Sequence, residues 1–567
     1  MRLFERAAAL QEQTGDVDGL ARTLMKLGLV HTAAFEPEAA QRAHQRAFAL
    51  WAELRHGQDG GAAPLPTAVV RVTNGEPSSL DPARGYDSDS LFVTTQLFEG
   101  LVEIDVDANV LPALATDWDV FDDGCRYVFH LRPGARWSDG VAVTASDFEQ
   151  AWKRVLHPRM RSPVAQLLSV LEGARDWHEG LVPTADAVGV RALSSTSLEL
   201  RLHAPSACLL ELLSHPATFP VPVHTIRQHG PAWTNPANMV GNGAFVLEEH
   251  TPEHLVLRRN PGWTGQSNGN VGVVEVRHYP HYRDALAAWQ AGALDILDLI
   301  AADAAVLEEA RTHHAPSLRF LPLHSTQFVM LRADKPPFDD VRVRKALALA
   351  IDRDALERSL QGTAQLVARG GFIPPGVAGH TPTLALPYDV PRARALLAEA
   401  GFATPSALPP LLWLNTHGVG DTTLLEHAVS CWRALGVTVE VRDVDWHAFE
   451  HALANDPPHA ALGGWLADYP DPDTFLRACF HSSEGAEHTG WQSARFDELA
   501  EDVARIADPR SRVEQARLAD HLLVAEEVAV IPLCYGQNPV LLGRRVKAYP
   551  AAGSYLRPLK AVVVDED

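Results

Sequence analysis

The sequence predicts a mixed α/β protein of several lobes preceded by a short helical segment, and three observations carry that prediction. Its 567 residues exceed what one domain of roughly 100 to 200 residues holds. From Ala68 onward, short apolar and alternating segments are interleaved with segments of helical spacing. Ahead of that region lies His56 to Pro66, HGQDGGAAPLP, whose Gly and Pro residues remove helical order and predict a linker.

The opening segment, 1–55, repeats itself. Phe4 to Leu10, FERAAAL, returns as His44 to Leu50, HQRAFAL, a shift of forty residues that falls within the period of helical repeat arrays. With Leu24 to His31 between them, and Ala40, His44 and Ala47 spaced behind, the pattern resembles a tetratricopeptide repeat. On that resemblance, residues 1–15 stand as the second helix of a repeat. The segment is then expected to continue an array or to cap the larger domain, with a plain helical hairpin as the alternative.

Beyond the linker the elements follow in order. Ala68 to Val72 is expected as a strand, Ser90 to Gly100 as a helix, and Tyr127 to Leu131 as an alternating strand. Thr144 is an expected N-cap, opening a helix that runs through Trp152 to Val155. Phe245 to Glu248 and His254 to Arg258 predict a hairpin, and Val273 to His278 a further strand. Helices are expected again at Arg283 to Ala291 and at Val341 to Ile351.

Composition narrows the partners. With 49 Lys and Arg against 71 Asp and Glu, the net charge is -22, which argues against a nucleic-acid backbone or an anionic membrane as principal partner. Hydrophobic content of 46% and charged content of 21% fit a soluble globular chain. The longest apolar runs, Ala346 to Ile351 and Val528 to Leu533, fall far short of the roughly 18 residues that span a bilayer. The five cysteines contain no C-x-x-C pair, are expected as buried small hydrophobes, and in their odd number lean toward a reducing compartment. Arg2, Glu5 and Arg6 occupy what would be the apolar stretch of a secretory signal, so the chain as written is expected in the cytoplasm.

Sites of chemistry are scarce. Gly265 to Gly269 fits G-x-S-x-G, but it lies in a turn-rich stretch between two strands rather than between a strand and a helix, so a hydrolase is not expected. Asp468, Asp471 and Asp473 lack the glycine and terminal glutamate of an EF-hand loop. No phosphate cradle occurs. Neither a metal, nor a cofactor, nor catalysis is expected.

Several blocks then match one family in order and spacing. They are Ser79-Leu-Asp-Pro82 with Gln96 to Leu101, Phe129 to Gly140 with Val143 to Phe148, Trp233 to Phe245 with Leu257 to Trp263, and Phe338 to Leu347 with Ala350 to Arg353. From Ala68 to about Pro558 the chain resembles the family 5 solute-binding proteins that serve oligopeptide and dipeptide ABC transporters. The resemblance implies a two-lobed periplasmic-binding-protein-like fold with an inserted subdomain, an extracytoplasmic location, and a peptide-like ligand captured between the lobes. It places lobe I at 67–88, 211–312 and 526–567, the insertion at 89–210, and lobe III at 313–525.

It also implies a site. In Gly464 to Asp473, GWLADYPDPD, the position resembling the partner of a peptide's α-ammonium is Asp468, and a buried ammonium does need a fixed anion. Trp465 and Tyr469 offer flat faces to side chains or to the cation. Asn415 and Thr416 are implied to face the ligand, and Glu76 through Ser79 to lend backbone groups to its main chain. Implied partners are an oligopeptide or similar small ligand and ABC permease subunits, with a protein contact through residues 1–60 as a further expectation. A cytoplasmic peptide sensor or regulator module is the alternative use of the same fold.

Overall fold

The computed structural model describes residues 2–33, 37–56, 66–105, 108–416, 422–483, 485, 489–506, 508–550 and 557–565. Most of the expected linker lies outside the described residues. The chain forms two compact units, Met1–Asp298 with Arg505–Pro509 and Val540–Asp567, and Leu299–Ala504 with Arg510–Pro539. Among the described residues no helix is long and apolar enough to cross a membrane.

The first unit opens with helices Arg2–Thr14, Val17–Ala33 and Pro37–His56, so the two echoing heptads lie in the first and third. The three pack on one another in order, and the third packs on the strand Ala115–Phe121. Phe48 meets Trp118 edge-on at 5.0 Å between ring centroids, and Trp118 is only 4% exposed. Arg22 pairs with Asp105, and Trp51 Nε1 donates to Asp18 at 3.2 Å. The segment is therefore part of the first unit's core.

Ala115–Phe121 belongs to a four-stranded antiparallel sheet with Arg126–Leu131, Ser197–Arg201 and Val190–Ala192. The helix Ala145–Val155 packs on it and buries Phe148 and Trp152 completely. As the sequence predicts, the helix begins after Thr144, whose N–H donates to Asp147 at 2.8 Å, a charge-assisted start to the first turn.

The second sheet of this unit holds the strand Ala68–Thr73, parallel to both Val271–Arg277 and Ile296–Asp298. The predicted hairpin is present as Phe245–His250 and His254–Arg259, paired antiparallel and joined to Val271–Arg277. The G-x-S-x-G stretch lies in the connection between the last two of these strands, where the Ser267 hydroxyl donates to the carbonyl of Lys560.

In the second unit the strands Val439–Val444, Leu411–Thr416 and Ala460–Leu466 run parallel, and Leu318–Leu331 joins the last of them antiparallel. Alternation along Leu411–Thr416 feeds two cores, as a sheet covered on both faces requires. Leu411 and Trp413 enter one with Trp432, while Leu414 enters the other with Phe328, Phe372 and Phe475. Three cysteines are buried as expected, but Cys125 and Cys431 are only half-buried.

One buried acid lies at the heart of the second unit. Asp520, near the end of the helix Pro509–His521, is 0% exposed; its Oδ1 accepts the Phe372 N–H at 2.7 Å, while Oδ2 has no hydrogen-bond partner among the described residues. Burial pushes this carboxyl up to about 7. The fit is close, since a Cβ on Gly371 would stand 1.8 Å from Asp520 Oδ2.

Both cores can be probed by substitution. Phe48→Ala removes the main aromatic contact between the helical segment and Trp118, and should cost about 3 kcal/mol in a denaturation followed by tryptophan fluorescence. Asp520 has a folded value raised above its unfolded one, so its stabilising contribution is full in acid and is lost as pH rises toward and through about 7. Asp520→Asn should flatten that loss, gaining on the order of 4 kcal/mol relative to wild type near pH 8, measured by denaturation at several pH values.

Candidate ligand-binding site

Just beyond the parallel strand Ala460–Leu466 a last bond to Leu318–Leu331 is made, and the chain turns. Ala467 N–H donates to the His324 carbonyl at 2.9 Å, and Asp471 N–H donates to the Tyr469 carbonyl at 2.8 Å. Asp471 Oδ1 then accepts the Asp473 N–H at 2.9 Å, opening the helix Asp473–Phe480. Pro470 and Pro472 restrict the backbone between these bonds.

Two arginines hold this turn. Arg477 donates to both oxygens of Asp473 at 2.8 Å, and the Tyr469 hydroxyl donates to the same carboxylate at 2.6 Å. Arg512, from the helix Pro509–His521, grips Asp471 through two bonds of 2.5 and 2.6 Å, while its Nε donates to the Val503 carbonyl at 2.6 Å. Planar fork-to-fork pairing of this kind fixes orientation as well as distance.

The carboxylates of this turn sit in opposite environments. Burial would raise Asp473, but the Arg477 guanidinium and the donated hydrogen bonds hold it below the usual carboxylate range. Asp468 is half-buried by area and its carboxyl is strongly desolvated; burial pushes it up to about 6, offset only in part by the Thr474 hydroxyl donating at 3.4 Å. The Thr474 hydroxyl in turn accepts the Trp465 indole N–H at 3.2 Å, so indole, hydroxyl and carboxylate form one chain. Trp465 remains half-buried, whereas Tyr469 is 3% exposed.

Asn415 and Thr416 end the neighbouring parallel strand and are both half-buried. Asn415 lies opposite Asp443, and its amide donates to that carboxylate at 2.8 Å. These two residues thus close one parallel strand and Asp468 follows the end of its neighbour, at the carboxyl edge where α/β sheets bind ligands.

In the first unit the same rule places Glu76 and Ser79 just beyond the carboxyl end of Ala68–Thr73. That segment is tied to the start of the helix Ser88–Leu97. Gly75 N–H donates to Asp89 at 2.9 Å, and Ser79 N–H to the Ser90 hydroxyl at 3.1 Å. Glu76 is exposed and Ser79 half-buried. Asp89 is raised by burial and by the neighbouring charges of Asp87 and Asp298.

The frame formed by Thr474, Arg477 and Arg512 is not foreseen from the sequence. The Asp473/Arg477 spacing of four on a helix was a readable signal. Arg512 lies 41 residues from Asp471 and carried none. Asp471 and Asp473 were weighed only as a calcium loop and set aside; in the fold each faces a guanidinium.

Known proteins share this architecture. The model for "Bacterial extracellular solute-binding proteins, family 5 Middle" matches residues 109–487. The probable deoxycholate-binding periplasmic protein YgiS of Escherichia coli K12 is 31% identical over 496 residues, 86% of this chain and 91% of its own. The periplasmic oligopeptide-binding protein OppA of the same organism is 30% identical over 541 residues, 91% of this chain and 98% of its own. The solved structure of the Escherichia coli murein tripeptide binding protein MppA matches with a TM-score of 0.76 at 26% identity, covering 89% of this chain and 99% of that one. With the family match, two relatives aligned over most of their length and a shared two-unit α/β fold, the chain belongs to the family 5 bacterial extracellular solute-binding proteins.

Proposed function

We propose that this protein binds a peptide through its free amino terminus, as the substrate-binding component of an ABC peptide transporter, and catalyses no reaction. The observation that carries this reading is the desolvated Asp468 carboxyl, pushed up to about 6 beside a half-exposed indole at the carboxyl end of parallel strands. A carboxylate held this way gains from a cation that replaces its lost hydration. An α-ammonium supplies that charge and three hydrogen-bond donors.

Trp465 is proposed as the surface against which the ligand lies, and Tyr469 as part of the frame through its bond to Asp473. Asn415, Thr416 and the Glu76 to Ser79 segment are proposed to meet the ligand's main chain, which gives affinity that depends little on side-chain identity. The names of OppA and MppA support a peptide ligand. The name of YgiS points to an acidic amphiphile, which Asp468 would repel.

A panel of short peptides and their amino-terminally acetylated forms, titrated by calorimetry into wild type and Asp468→Ala, tests the reading. Loss of one member of a buried charge pair should weaken a free peptide by about 30-fold to several thousand-fold. Acetylation should weaken wild type comparably and the variant much less, because both changes strike one interaction. An acetyl penalty equally large in both proteins, or tighter binding of deoxycholate than of any peptide, would overturn the assignment.

The same carboxyl predicts a pH dependence. The ammonium binds the ionised form, so affinity should be greatest near pH 7, fall about tenfold by pH 5 as Asp468 takes up a proton, and fall again above about pH 8 as the peptide's ammonium loses its own. Asp468→Asn should be weaker throughout and flat across that range. Titrations at a series of pH values check both statements.

A further inference from the structure

We infer that Arg512 is a positioning residue for ligand recognition, acting through Asp471 to hold the turn that presents Asp468. The inference rests on the reading of Asp468 as the ammonium partner.

Three features of the second unit support it. First, Asp468 lies in the turn beyond the strand Ala460–Leu466, and the Thr474 bond to its carboxylate is long, at 3.4 Å. Asp471 follows Asp468 by three residues in the same turn, so what fixes Asp471 fixes the backbone that presents Asp468. Second, Asp471 is where that backbone is gripped. One of its oxygens accepts the Asp473 N–H that starts the helix, and both accept from Arg512. Third, Arg512 is itself anchored: it is 14% exposed at the side chain, and its Nε donates to the Val503 carbonyl, so the fork is aimed before Asp471 meets it. Asp471, 7% exposed at its side chain, would carry an uncompensated buried charge without that guanidinium.

The Arg477–Asp473–Tyr469 set closes the other side of the turn. These bonds join residues within eight positions of one another, whereas Arg512 arrives from another helix, Pro509–His521. A guanidinium aimed at Asp471 also leaves Asp468 with burial as its dominant influence, the condition that favours a cationic ligand.

The test compares wild type, Asp468→Asn, Arg512→Gln and Arg512→Lys, using tri-alanine and N-acetyl-tri-alanine as probes, with calorimetric affinities and the pH midpoint for the free peptide. Arg512→Gln should reduce the preference for the free over the acetylated peptide by about tenfold or more, while affinity for the acetylated form stays within about twofold. Its pH midpoint should move away from about 6, since the change alters both the burial of Asp468 and the charge carried by Asp471. Arg512→Lys, which keeps the charge but not the bidentate fork, should fall between the two.

Equal weakening of both peptides by Arg512→Gln, or an unchanged preference and midpoint, overturns the inference. If Arg512→Gln does not fold, Arg512→Lys and Asp471→Asn are measured in the same way, and the same results in them overturn it. Should Asp468→Asn itself keep the full preference for the free amino terminus, the parent reading of Asp468 fails first, and the inference falls with it.

Discussion

A carboxylate drawn out of water sets the character of the turn that follows the strand Ala460–Leu466 in the second unit. Removing a charge from solvent costs several kcal/mol unless partners replace the lost hydration, and this protein answers that cost differently at neighbouring positions. Asp473 is met by a guanidinium and a phenol and stays ionised. Asp468 is raised by burial, with the Thr474 hydroxyl donating to it at 3.4 Å. The first arrangement holds the turn; the second is the one in which the proposed cationic ligand gains most. The strand ends, the prolines and the arginine forks all serve to keep these two environments apart over a few residues of chain.

Much of the fold was legible from periodicity. The hairpin at 245–259, the helix beginning after Thr144 and the strand at Ala68 were readable because their signals are local: alternation, a polar cap, a turn. The helix expected from Ser90 begins at Ser88 because Asp87 accepts the Ser90 N–H at 2.8 Å, a cap whose strength does not show in the hydrophobic pattern. The helical character of the first 55 residues was also plain. Their docking was not, since Trp118 reads as an ordinary strand residue until Phe48 is seen against it.

The candidate site was legible only as far as one short segment and its resemblance to the family pointed to it. Asp468 and Trp465 could be singled out from GWLADYPDPD, but the same segment gave Tyr469 an open aromatic face, and its burial against Asp473 is a tertiary fact. Arg512 was beyond reach for a similar reason. A guanidinium that arrives from another helix leaves no mark on the sequence around its partner, so only the folded chain distinguishes a clamp from one more charged surface residue.

The route of the chain has a consequence for biosynthesis. The strand Ile296–Asp298 pairs with Val540–Leu542, and Gln96 Oε1 accepts the Leu559 N–H at 2.9 Å. The first unit therefore takes its last pieces from the end of the polypeptide, after the whole of the second unit has been made. During synthesis the amino-terminal unit must wait with an unpaired sheet edge and unfilled core positions, while the residues of the second unit are complete by Pro539. Such delayed closure favours slow folding and reliance on chaperones, and it makes the carboxyl-terminal residues the step that completes the amino-terminal half.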